Sequence, residues 1–106
     1  MAGDTLAAEI DCREALVQEP DHREALTLMG GILHAQGRYG EAEPLFLKLT
    51  EQEPAQSTHW MNLGTVRRLL GRLDESLAAF AMAARTGPLS ADLAFNLGLL
   101  HLDRRD

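Results

Sequence analysis

Apolar side chains recur every three or four residues in six stretches, and glycine or proline closes most of them. Thr5 to Glu19 carries Leu6, Ala8, Ile10, Cys12, Ala15 and Leu16, while Arg23 to Gln36 sets Leu26, Met29, Gly30 and Leu33 on one stripe. Tyr39 to Glu53, Ser57 to Leu70 and Leu73 to Thr86 follow, and a last stretch opens with Ser90, Leu93, Leu97 and Leu100 and runs to about Arg104. Such spacing gathers the apolar residues on one face of a helix, so the chain is predicted to be all-α with six helices. Asp4 or Thr5, then Ser57, are the expected caps. Pro20, Gly37-Arg38, Pro54, Gly71-Arg72 and Gly87-Pro88 mark the links. Pro44 falls early in the third helix, where a local bend is expected and not a break.

The punctuation is periodic. Pro20, Pro54 and Pro88 are spaced by 34, as are Gly30, Gly64 and Gly98, Gly37 and Gly71, and Phe46 and Phe80. A unit of this length holds two helices that cannot bury their apolar faces alone, so neighbouring units must stack. The glycines have a geometric reading. A residue without a side chain at position 30 lets the two antiparallel helices of a pair approach, with a bulky residue of the second helix lying over it, and the same logic applies to Gly64 and Gly98.

Counted from Ser57, one unit places Trp60 fourth, Leu63 seventh, Gly64 eighth, Gly71 fifteenth, Phe80 twenty-fourth and Pro88 thirty-second; counted from Arg23, the unit before it matches with Leu26, Met29, Gly30, Gly37, Tyr39, Ala42, Phe46 and Pro54. This pattern resembles the tetratricopeptide repeat family, with Ser76 where the family usually has alanine and Arg67 where it usually has an aromatic. The resemblance covers the whole chain and implies a right-handed antiparallel array of helical hairpins. Residues 1–20 then read as the second helix of a partial repeat, 23–54 and 57–88 as full repeats, and 91–106 as the first helix of another partial repeat. The last helix carries Leu93, Phe95, Leu97, Leu99, Leu100 and Leu102 and is apolar nearly all round, so it needs cover on more than one side.

Composition narrows the function. With 45% apolar and 25% charged residues in 106, the chain has the make-up of one soluble globular domain. The apolar run from Leu97 to Leu102 is interrupted by Gly98 and His101 and is far too short to span a membrane, and the acidic start does not resemble a signal peptide. A single cysteine, Cys12, cannot form an internal disulfide, and the default compartment is the cytoplasm. The net charge of −6 is uneven: residues 1–53 hold 11 acids and 4 bases, residues 54–106 hold 5 acids and 6 bases. An acidic first half argues against nucleic acid as the partner.

Candidate chemistry is sparse. His22, His34, His59 and His101 fall on different helices or links without a metal-ligand spacing, and no loop cradles a phosphate. Cys12 takes the place of Phe46 and Phe80 and reads as a small core residue. Glu41 and Glu43 read as surface residues of a helix. No cofactor and no catalysis are expected, which leaves surface recognition.

Here the resemblance adds residues. In the family the first helix of each pair lines a concave face, and the matching positions include Glu24, Thr27, Leu28, Gly31, His34 and Ala35, then Thr58, Met61, Asn62, Thr65, Arg68 and Leu69, then Asp92, Phe95, Asn96, Leu99, Leu102 and Asp103. Asn62 and Asn96 share one place, where an amide can donate and accept to an extended peptide. Met61, Leu69, Phe95, Leu99 and Leu102 would form an apolar floor rimmed by Arg68, serving a partner or packing against a following helix. The family's carboxylate-gripping residues are matched only at Asn62, and Asp92 would repel a carboxylate. The implied function is protein–protein interaction with a peptide or helix held in the groove. Two other readings stay open: self-assembly through open terminal helices, end to end or swapped, giving a homo-oligomer; or the repeat region of a larger bacterial enzyme such as a sulfotransferase or glycosyltransferase.

Overall fold

The computed structural model describes residues 2–105, and among them are six α-helices and no strand. They are α1 (Ala2–Gln18), α2 (Arg23–Ala35), α3 (Tyr39–Gln52), α4 (Ser57–Leu69), α5 (Leu73–Thr86) and α6 (Ala91–Asp103). Each packs on the next in chain order, and α4 also meets α6, which builds an elongated solenoid of 40 × 27 × 21 Å. The α2–α3 and α4–α5 hairpins turn at Gly37 (φ 74°) and Gly71 (φ 79°), a left-handed backbone that glycine adopts without steric cost. Helix α3 continues unbroken through Pro44.

Two expected caps are corrected. Helix α1 already begins at Ala2, so Asp4 sits inside the first turn, where its charge favours the amino-terminal dipole. At α4 the capping position belongs to Gln56, whose side chain makes no capping bond, and Ser57 is the first helical residue. Ser57 instead packs on Gly87: a methyl group there would come within 2.6 Å of the Ser57 Oγ. Ser90 caps α6, accepting from the Leu93 amide at 3.1 Å, a role the sequence reading did not assign. The His22 Nδ1 caps α2 by accepting from the Ala25 amide at 3.2 Å, a role the sequence reading did not assign.

The core runs the length of the solenoid between first and second helices. Leu26, Leu33, Leu49, Leu63, Val66, Phe80 and Leu100 are fully buried, each side chain contributing roughly 1.5–3 kcal/mol by leaving water. The glycine reading holds at two of its three places. A methyl group on Gly30 would lie 2.9 Å from the Phe46 ring, and one on Gly64 only 2.7 Å from the Phe80 ring. Gly98 is the exception, because nothing lies within 4 Å of where its side chain would be. Cys12 is buried with Leu26, Met29 and Phe46, and burial, with Asp11 nearby, pushes its thiol pKa up, as befits a packing residue.

Both departures from the family pattern are polar links. The Ser76 hydroxyl, fully buried, donates to the Gly64 carbonyl at 2.7 Å. Arg67 donates through Nε to Glu43 at 3.1 Å, and Arg72 from the α4–α5 turn binds the same carboxylate. Glu43 is therefore no surface residue; it is enclosed by two guanidiniums. Glu9 repeats the arrangement one unit earlier, taking Arg13 at 2.8 Å and Arg38 from the α2–α3 turn at 3.1 Å. Arg13 and then Arg38 hold the Glu9 carboxyl below its ordinary range, and Arg38 does the same to the exposed Glu41.

A candidate polypeptide-binding groove

Helix α2 is held between α1 and α3 and α4 between α3 and α5, while α6 rests on α5 and touches α4; α2, α4 and α6 are the first helices of successive units. The register between them can be read from their contacts. Thr27, Gly31 and His34 of α2 meet Asn62 and Thr65 of α4 around a recess of about 250 Å³ floored by Phe46. Between α4 and α6 the Arg68 guanidinium binds the Asp103 carboxylate at 3.2 Å. The fifth, ninth and twelfth residues of one first helix thus face the sixth, ninth and thirteenth of the next.

Met61, Asn62, Thr65, Arg68, Leu69, Phe95, Asn96, Leu99 and Leu102, the residues expected to bind a partner, do not form one continuous surface. Asn62 and Thr65 join Thr27 and His34 in the polar recess; the Thr65 hydroxyl donates to the Met61 carbonyl at 2.9 Å, which ties it to its own helix. Among the described residues, the amides of Asn62 and of half-buried Asn96 make no hydrogen bond to the protein. Met61 belongs instead to a second recess with Thr58, Pro88 and Leu93, between α4 and α6. Arg68 is held by Asp103, with its Nε enclosed and unpaired. Phe95 and Leu102 are largely exposed, at 67% and 60%, while Leu99 is half-buried and Leu69 is exposed at the rim. The single apolar floor expected from sequence is thus a polar recess toward α2 and an apolar ridge on α6.

Another concavity lies at the opposite end. A trough of about 810 Å³ runs along α1 and α2, with Leu28, Gly31, Ile32 and Ala35 on its wall and the Arg23–Glu53 ion pair (3.4 Å) at its mouth. The Glu53 carboxyl also meets the His59 Nε2 at 2.9 Å, and this bond, then Arg23, lowers its pKa. Leu28, Gly31 and Ala35 were legible as concave-face positions, but the trough itself was not. Its signal is Ile32, half-exposed at the place where α4 carries the fully buried Val66. Among the described residues no group of His, Cys, Asp or Glu is arranged to hold a metal ion, and no helix is long and apolar enough to cross a membrane.

Comparison with known proteins agrees with this geometry. Among solved structures, MamA from Desulfovibrio magneticus RS-1 superposes with a TM-score of 0.90 at 22% identity, over 99% of this chain and 59% of that one. MamA from MSR-1 gives 0.88 at 21% identity, over 98% and 60%. A chain of the Naa15/Naa10 complex bound to HypK-THB gives 0.68 at 24%, over 92% of this chain but 15% of that one. These likenesses concern the fold. In sequence, cellulose synthase operon protein C of Xanthomonas axonopodis pv. citri (strain 306) is 43% identical over 56 residues, which are 53% of this chain and 4% of that protein. The chain thus spans about three-fifths of the MamA structures and a small fraction of the curated relative. The tetratricopeptide repeat model matches residues 2–57, 35–91 and 61–106, and with its six stacked helices the chain belongs to the tetratricopeptide repeat family.

Proposed function

We propose that the chain is a protein–protein interaction module that holds a peptide or helix of a partner protein on its concave face and has no catalysis of its own. The observation that carries this reading is the pair of amides, Asn62 and Asn96, at equivalent places on adjacent first helices and both unbonded to the scaffold. An amide left open in a partly desolvated groove offers one donor and one acceptor to an extended backbone, which is how a groove captures a strand without reading every side chain. Met61, Thr65, Arg68 and Leu69 flank the first amide, and Phe95, Leu99 and Leu102 supply apolar contact beside the second. A cytoplasmic setting accords with the single cysteine.

The test is a selection of peptides from a random display library on the wild-type chain, followed by affinity measurement on two variants. Asn62→Ala with Asn96→Ala should weaken the selected peptides roughly tenfold or more, since each lost hydrogen bond is worth about 1 kcal/mol. Phe95→Ser with Leu99→Ser should reduce binding while helix content by circular dichroism is kept. Peptides that bind both variants as they bind the wild type would sink the groove assignment.

A second reading draws on the relative that this chain matches over only 4% of its length: the chain as the interaction segment of a larger bacterial protein, a sulfotransferase or glycosyltransferase among them. Reading the encoding gene on both sides of the 106 codons decides between the two.

A further inference from the structure

Most of the exposed large apolar side chains sit at the two ends of the array, Leu6, Ile10, Val17 and Leu28 at one and Phe95 and Leu102 at the other, and the repeat register makes the two ends counterparts. Inside the chain, Thr27 of α2 shares a recess with Asn62 of α4, and Arg68 of α4 binds Asp103 of α6. The rule is fifth position against sixth, and twelfth against thirteenth. Applied once more, it sets Phe95 and Leu102 of α6 against the places held by Leu28 and Ala35 on α2. Those residues wall the open trough at the amino-terminal end. At these positions the α2–α4 seam carries Thr27, His34, Asn62 and Leu69 and the α4–α6 seam Met61, Arg68, Asn96 and Asp103, a mixture of polar and apolar residues, whereas the two free faces carry only Phe95, Leu102, Leu28 and Ala35. Phe95 is 67% exposed, Leu102 60% and Leu28 53%.

We propose that a second copy of this chain is the occupant: α6 of one copy lies in the α1–α2 trough of the next, continuing the internal seam from molecule to molecule. Two further observations point to a copy of this chain and to this orientation. Gly98 has nothing within 4 Å, while its equivalents Gly30 and Gly64 lie under Phe46 and Phe80. Stacking brings α1 of the neighbouring copy across Gly98, with Cys12 at the place of the two phenylalanines. Charge selects the direction. Head-to-tail contact runs α1 of the next copy antiparallel to α6 and brings Asp4 toward Arg105, beside the Arg104 that Asp74 holds, whereas a head-to-head pair would oppose two acidic halves. The contact uses different patches on the two molecules, so each added copy leaves one ridge and one trough free and growth continues past a dimer, to an open chain or a closed ring.

The experiment mixes two blocked chains, each with helix content verified by circular dichroism. Phe95→Glu removes the ridge and keeps the trough, and Leu28→Glu removes the trough and keeps the ridge; both sites are exposed, so folding is retained. In sedimentation over a concentration series, the wild type should grow in mass without stopping at a dimer. Each variant alone should associate roughly tenfold or more weakly, as expected for loss of a central apolar anchor. The equimolar mixture should form a dimer and nothing larger, because only one competent seam remains. A wild type that stays monomeric at every concentration, a mixture that stays monomeric, or a wild-type dimer that neither grows nor is restored by mixing would overturn the proposal. The Asn62→Ala, Asn96→Ala variant, which keeps both the ridge and the trough, should lose the selected peptides yet grow in sedimentation as the wild type does, which separates this result from the fate of the groove reading.

Discussion

Gly64 on α4 and Gly98 on α6 hold the same place in the repeat and meet opposite surroundings. Beneath Phe80, Gly64 has no room for even a methyl group, and the ring takes up the space at 2.7 Å. Gly98 opens onto nothing within 4 Å. The two helices also differ in where their apolar residues go: Leu63 and Val66 on α4 are fully buried, whereas Phe95 and Leu102 on α6 stand in solvent. A repeated residue therefore records a place in the pattern, and its energetic meaning depends on the neighbour that arrives there.

Substitutions turn that contrast into measurements. The largest effect is expected from Phe80→Ala, which empties the space over Gly64 and should cost about 3–5 kcal/mol. Phe95→Ala, removing an equally large ring from α6, should change stability by less than about 0.5 kcal/mol in the dilute chain. Paired thermal melts check both, and equal losses would erase the distinction. Next comes Gly64→Ala, where the added methyl must displace the Phe80 ring at roughly 1–3 kcal/mol. Gly98→Ala should act with the opposite sign, stabilising by roughly 0.5–1 kcal/mol because alanine favours a helix interior and meets no obstacle. A loss at Gly98 as large as that at Gly64 would mean that α6 is covered even in the dilute chain.

The smallest effect concerns acid. Glu9, Glu41 and Glu53 are held below the ordinary carboxyl value of 4.5 by Arg13, Arg38 and His59. Their folded values lie below the unfolded one, so their contribution is present above pH 4.5 and is lost as the pH falls through the lowered values. Hydrogen-exchange protection, taken relative to the intrinsic rate at each pH, should fall first in α1 to α3, where these groups sit, as the pH drops below 4.5. Uniform loss across all six helices would contradict that localisation.

Most of the fold was legible because it is repetitive. Gly30 with Phe46 and Gly64 with Phe80 recur at one interval, so each pair corroborates the other, and five of the six helices end within a residue or two of where glycine and proline predict. Caps were less readable: Ser57 has the right side chain but lies one place inside the helix, while His22 caps α2 with a ring nitrogen. The links from Arg38 to Glu9 and from Arg72 to Glu43 join a turn to the preceding unit and so do not coincide with the interval of the repeat. At the site, sequence placed Asn62 and Asn96 on equivalent turns, but only the packing of α2 on α4 separates the polar recess from the ridge on α6.

Those carboxylates also have a mechanical meaning. Glu9 and Glu43 each rivet one hairpin to the turn of the next, and the following unit has Leu77 at that place. Helix α6 is fastened sideways by Arg68 to Asp103 and Arg104 to Asp74, whose carboxylates are open to water. Under load the spring formed by this solenoid is therefore expected to yield first at α6, whose ties are the more open to water.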